Sequence, residues 1–151
     1  MPVILKMNRK EGQREPEVMI TYDRMTPELQ KVAAYVRAAG TRIRCKADGE
    51  EYFIPAADVY YIESVDKKCF LYGEKKVYQT GYKLYELEEE LKENGFVRTS
   101  KSCILNIEYL ETIRPQMNSK LEIHLKNGER LFVTRKYLKD IKRMLERQEK
   151  G

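Results

Sequence analysis

Phe96-Val97-Arg98-Thr99-Ser100-Lys101-Ser102-Cys103-Ile104-Leu105-Asn106 is the stretch around which the chain is read. Both ends are apolar, Phe96-Val97 before and Cys103-Ile104-Leu105 after. Between them lie two cations and three hydroxyls with no acid. The apolar flanks anchor the segment, so its polar residues are presented from a scaffold. Hydrogen-bond donors without a compensating carboxylate suit an anion, and nucleic acid is the polyanion with regularly spaced phosphates. The same composition also suits a solvated turn between two strands, and this stretch alone does not separate the two readings.

Working outward, Leu110 to Arg114 reads as a short strand that Pro115 ends, since proline offers no backbone donor. Residues 116–120 are a polar loop. Leu121, Ile123 and Leu125 then alternate with Glu122 and His124, which places His124 on the outward, solvated face. Asn127-Gly128 is a hairpin turn, and Leu131 to Thr134 is the last strand. Arg135-Lys136 lead into a helix whose buried face is Leu138, Ile141, Met144 and Leu145. Upstream of the central stretch, Leu84, Leu87 and Leu91 give a helix over Lys83 to Glu93 one apolar stripe, and its glutamates face water. Asn94-Gly95 stops it.

Before that helix the period is two. Ile43 and Cys45 alternate with Arg42, Arg44 and Lys46, and Asp48-Gly49 turns the chain into Tyr52-Phe53-Ile54. Val59 to Val65, Cys69 to Tyr72 and Lys76 to Thr80 are further strands, joined by a tip at Asp66-Lys67-Lys68 and a turn at Gly73-Glu74-Lys75. At the N-terminus, residues 6–17 are a polar loop or tail and Val18 to Tyr22 is a short strand. Thr26-Pro27-Glu28 starts a helix bearing Leu29, Val32, Ala33, Val36 and Ala39, which Gly40 stops. This piece is smaller than the ~50 residues a domain usually needs, so it must dock on the rest or on a second copy. The expected organisation is an N-terminal strand–helix extension over 1–44, a candidate dimer contact, and a main domain over 45–147. The fold class is mainly β, antiparallel, with two or three packed helices.

Composition narrows the function. The 151 residues allow one domain with a real core. No apolar run approaches the ~18 residues of a membrane span, and no secretory signal opens the chain, so a cytoplasmic protein without membrane insertion is expected. Cys45, Cys69 and Cys103 are odd in number and scattered, as reduced thiols rather than a disulfide or zinc framework. Net charge is uneven: 9 Lys/Arg against 5 Asp/Glu over residues 1–44, 7 against 12 over 45–97, and 13 against 7 over 98–151. The basic C-terminal third makes a polyanion-facing patch plausible.

Catalytic signals are weak. There is no glycine-rich phosphate loop, and the acidic run Glu86 to Glu93 has the spacing of a solvated face rather than a metal site. Cys69 follows two lysines, which favours a lowered thiol pKa, but a packed strand cysteine is the preferred reading. No enzyme activity, cofactor or metal is expected. What remains is a set of basic turns, Lys67-Lys68-Cys69, Arg98 to Ser102 and Arg135-Lys136, which a β scaffold can carry on one edge.

These residues resemble a known family. Tyr61-Ile62-Glu63-Ser64, the lysine-rich tip, Tyr72, Tyr78 and the helix with Leu84, Leu87, Glu88 and Leu91 are similar to the start of a LytTR DNA-binding domain. Phe96 to Ser102, followed by Ile104, Leu105, Asn106 and Ile113, resembles its central signature. Leu121, Ile123, Leu125, Asn127-Gly128 and Val133-Thr134-Arg135-Lys136-Tyr137 resemble its end. The match covers about residues 45 to 145. It implies small antiparallel sheets with few helices, and a bacterial transcription regulator that puts loops, not a recognition helix, into successive major grooves of double-stranded DNA. By resemblance, base contacts fall on Lys101, Arg135 and either Cys69 or Lys68, and backbone contacts on Arg98, Ser100, Ser102 and Lys136. The sequence departs from the family at Ser100, where histidine is usual, and at Cys69, where a polar or histidine contact is often found. A receiver domain does not fit in 44 residues. The resemblance therefore implies a stand-alone member, binding as a homodimer or in tandem and linked functionally to a small membrane protein. A protein-interaction module on the same fold, with little specific DNA reading, is the alternative, and RNA binding is a weaker third.

Overall fold

Turns with left-handed backbone close the first hairpins. In the computed structural model, which describes residues 3–115 and 120–150, Asp48 and Gly49 take φ of 53° and 78° and fold β1 (Arg42–Ala47) onto β2 (Glu50–Pro55). Ile43 and Cys45 point inward and Arg42, Arg44 and Lys46 outward, as the alternation predicts. The expected division after residue 44 falls inside β1. Then follow β3 (Tyr61–Val65), β4 (Lys68–Tyr72) and β5 (Val77–Thr80), the helix α2 (Leu84–Leu91), β6 (Phe96–Ser100) and β7 (Cys103–Asn106). These seven strands form one antiparallel sheet in the order β2-β1-β5-β4-β3-β7-β6. A second sheet, β10-β9-β8, is built from β8 (Leu110–Pro115), β9 (Leu121–Leu125) and β10 (Arg130–Val133).

The large sheet separates two cores. Ile62, Leu71 and Ile104 pack on one side with Leu84, Leu87 and Leu91 of α2. Tyr61, Val97 and Leu105 pack on the other with Ile123, Leu125, Val133 and Ile141. Neighbouring residues alternate between faces, so Tyr61 and Ile62 enter different cores, as do Ile104 and Leu105. All four residues of β7 are buried, which explains why Cys103-Ile104-Leu105 is a continuous apolar run rather than an alternating one. Ile141 belongs to α3 (Arg135–Lys150), which packs against β6. No helix among the described residues is long and apolar enough to cross a membrane.

α1 (Pro27–Gly40) starts as predicted, with the Thr26 hydroxyl accepting a hydrogen bond from the Leu29 amide at 3.2 Å and Pro27 in the first turn. Gly40 is its last helical residue rather than a cap beyond it. The Thr41 amide and hydroxyl close the end by donating to Ala38 and Arg37 carbonyls. The helix lies against α3, but its apolar face is only partly covered: Ala38 is buried, whereas Val32 and Tyr35 are exposed. The strand expected over Val18 to Tyr22 is absent. These residues are irregular, and all but the half-buried Ile20 are exposed, since no neighbouring strand supplies the ladder that a lone apolar run requires.

His124 also departs from expectation. Its side chain is four-fifths covered and its Nε2 lies 3.2 Å from Glu122, whose carboxylate is buried and lies 3.4 Å from Arg130. The register sets Glu122 between Arg114 and Phe132 on the flanking strands, so charge pairing beneath long neighbours replaces solvation on this face. Most of the polar loop expected at residues 116–120 lies outside the described residues.

Asn106 ties the end of β7 to the segment that leads into β3. It is buried; its amide group donates to the Val59 carbonyl at 3.0 Å, its side-chain oxygen accepts from the Glu108 amide at 3.2 Å, and its backbone N–H donates to Tyr60 at 3.0 Å. Asn106→Ala leaves the buried Val59 carbonyl without that partner, and should lower the free energy of unfolding by about 1–3 kcal/mol, measured from the shift of the urea midpoint.

Candidate nucleic-acid interface

The strand pairing brings all three basic turns to one edge. β3 ends and β4 begins at the Asp66-Lys67 tip, and β6 ends and β7 begins at the Lys101-Ser102 tip. The Ser64 amide donates to the Ser102 carbonyl at 2.8 Å, joining the first tip to the second. The Thr134 amide donates to the Thr99 carbonyl at 3.0 Å, joining the start of α3 to the end of β6. With neighbouring strands ~4.8 Å apart, β4 to β6 spans roughly 14 Å. That is close to the ~12 Å width of a major groove.

Lys67, Lys68, Lys101, Arg135 and Lys136 are all exposed. Among the described residues none of the five forms an ion pair, so their charge faces solvent unneutralised. The first turn of α3 contains no acid, and the helix N-terminus adds partial positive charge beside Arg135 and Lys136. Asp66 is the one carboxylate in the two hairpin tips.

Ser102 is exposed, and Ser100 is half-buried with its hydroxyl accepting from the Ser102 amide at 3.2 Å. Arg98 is largely covered. Its guanidinium donates to the Lys101 carbonyl at 2.6 Å, and its Nε lies 3.2 Å from Glu88 on α2. Cys69 is 4% exposed and packs in the first core, and burial pushes its thiol pKa up rather than down. Of the two first-loop candidates, Lys68 therefore reaches solvent and Cys69 does not. Burial likewise pushes the Cys103 thiol up to about 11, so both remain neutral at physiological pH.

Sequence reasoning missed the braces of this edge. Ser64 and Thr134 act through backbone amides, which carry no residue-specific signal. Glu88 lies in an acidic run whose spacing reads as solvated, and only the packing of α2 on β6 turns it toward Arg98.

A model of the LytTr DNA-binding domain matches residues 49–146. The chain belongs to the LytTr DNA-binding domain family. A solved LytTr DNA-binding domain from Bacillus cereus superposes with a TM-score of 0.65 at 28% identity, covering 70% of this chain and 96% of that one. The sensory transduction protein LytT of Enterococcus faecalis is 29% identical over 94 residues, 62% of this chain and 39% of that protein. LytT of Bacillus anthracis is 27% identical over 137 residues, 91% of this chain and 51% of the relative. The chain thus spans about half the length, or less, of these curated relatives. An uncharacterised HTH-type transcriptional regulator of Staphylococcus aureus is 32% identical over 98 residues, covering 65% of this chain and 66% of that protein. The chain accordingly carries a DNA-binding domain of a family that is not an enzyme family, and its mostly antiparallel sheets with, among the described residues, three α-helices match the LytTr fold.

The LytTr edge holds a local strain with an internal control. Asp66 and Lys67 take φ of 51° and 66°, nearly the backbone of Asp48-Gly49, but with lysine where the other turn has glycine. A non-glycine residue there costs ~1–2 kcal/mol, part of which glycine's freedom in the unfolded chain offsets. Lys67→Gly should raise the free energy of unfolding by about 0.5–1 kcal/mol in a denaturant titration, although it removes an exposed cation.

Proposed function

We propose that this protein is a sequence-specific transcription regulator that sets the β edge of its LytTr domain against double-stranded DNA and reads successive major grooves with loops. The observation that carries this reading is the meeting on one edge of three turns whose Lys67, Lys68, Lys101, Arg135 and Lys136 are exposed and, among the described residues, form no ion pair. In this reading Lys101 and Arg135 contact base edges and Lys68 serves the first loop, while Ser100, Ser102 and Lys136 hold the sugar-phosphate backbone. Arginine offers two parallel donors that match the O6 and N7 acceptors of guanine, so Arg135 is the more selective reader.

The regulator works in the cytoplasm as a homodimer or as tandem copies, and its activity is linked to a small membrane protein. Residues 18–40 supply the contact between copies. Val18, Met19, Tyr22, Val32 and Tyr35 support this, because they leave apolar surface open on a segment too short to fold alone. Sedimentation of the full chain at micromolar concentration should give twice its 17.9 kDa mass. A mass of one chain at every concentration, with tandem sites unoccupied on DNA, would remove the dimer.

Arg135→Ala should cost about 1–3 kcal/mol at one base position and relax preference there. Uniform loss in a base-by-base binding scan would show that Arg135 does not read a base. Lys136→Ala should weaken all sites evenly and flatten the salt slope by about one unit, and an unchanged slope would take Lys136 out of the phosphate contacts.

A further inference from the structure

The β6–β7 tip lacks the backbone that a two-residue hairpin prefers. Such turns favour positive φ at one or both central residues, as at Asp48-Gly49 and Asp66-Lys67. Lys101 and Ser102 have negative φ, and the strand register slips between Arg98 and Ser100. The tip is instead held by two side chains of β6 and by one backbone group of β3. The Arg98 guanidinium donates to the Lys101 carbonyl at 2.6 Å, the Ser102 amide donates to the Ser100 hydroxyl at 3.2 Å, and the Ser64 amide donates to the Ser102 carbonyl at 2.8 Å. Arg98 is in turn aimed by Glu88, 3.2 Å from its Nε, and the arginine side chain is only 15% exposed.

We infer that Glu88 and Arg98 are positioning residues, which hold the Lys101 carbonyl and so aim the Lys101 side chain at its base, and that Arg98 is not a phosphate contact. This rests on the reading of Lys101 as a base-contacting residue. A guanidinium that donates to a tip carbonyl and faces a carboxylate has to abandon both to reach a phosphate, and its low exposure places it behind the tip rather than on it. The link runs from α2 through β6 to the DNA-facing edge, so helix packing sets the geometry of a recognition loop. A planar fork is needed to serve both partners, and a lysine ammonium at this position keeps the charge but loses the fork.

The signs of the expected effects separate this from simple electrostatics. Removing an acid near DNA strengthens binding at all sequences if that acid is a bystander. Glu88→Gln and Arg98→Lys, each in the full chain, should instead lose discrimination at the base positions that Lys101→Ala loses, by at least about fivefold, the lower end of what one base contact supplies. The salt slope of Arg98→Gln, which removes the charge, should stay at the wild-type value, and a slope flattened by about one unit would make Arg98 a phosphate contact after all. In the free protein, backbone NMR order parameters at Lys101 and Ser102 should fall from about 0.85 toward 0.6 in both Glu88→Gln and Arg98→Lys. Unchanged order parameters in both, with circular dichroism as for wild type, overturn the brace whatever the DNA result. Falling order parameters with a wild-type base scan overturn its part in recognition. If Lys101→Ala itself leaves the base scan unchanged, the base-reading role of Lys101 fails, and the order parameters alone decide the brace.

Discussion

Burial of β7 and of the start of β3 on both faces is the constraint on which the rest depends. These two strands meet at the centre of the chain's chemistry, with Ile62 and Ile104 in one core and Tyr61 and Leu105 in the other. Removing each such side chain from water contributes roughly 1.5–3 kcal/mol, and a one-residue slip would exchange every side chain between faces. The register is therefore held from both sides at once. Because β3 and β7 end together, their outgoing and incoming turns must also lie together, and the Ser64–Ser102 backbone bond is the direct result.

The edge is consequently a product of packing, while its chemistry comes from side chains that packing leaves free. Lys68, Lys101 and Arg135 stand outside the two cores on elements whose apolar residues are inside them. α3 shows the same division: Ile141 anchors the helix in the second core, and its first turn presents Arg135 and Lys136 to solvent. A surface that binds a polyanion by electrostatics needs charge without local neutralisation, and three acids of the middle third, Glu51, Glu89 and Glu88, pair instead with Arg44, Lys92 and Arg98.

Much of this was legible in the sequence, for identifiable reasons. Alternation located β1 and β9, Asp48-Gly49 and Asn127-Gly128 located two of the hairpins, and leucine spacing located α2, because each depends on local geometry. The order of the strands was not legible, since it depends on which apolar faces meet. Val18 to Tyr22 has strand composition without a partner strand, so propensity alone misled. The site was legible as three basic turns, but residue roles shifted with burial. Cys69 lies on the inward phase of β4, which alternation beside Leu71 signals, and Arg98 is enclosed by a helix that no local pattern places over it. His124 was misread because an outward phase on a strand means solvent only when nothing polar covers it.

In the proposed function this edge reads DNA sequence rather than merely attracting phosphate. Selection of binding sites from a random double-stranded pool, with the purified full chain near physiological salt, tests it most directly. The account predicts a pair of similar short motifs whose centres lie about one helical turn, ~10 base pairs, apart. Recovery of no enriched motif by protein that is folded by circular dichroism would contradict it, and would leave the LytTr scaffold serving a protein partner instead.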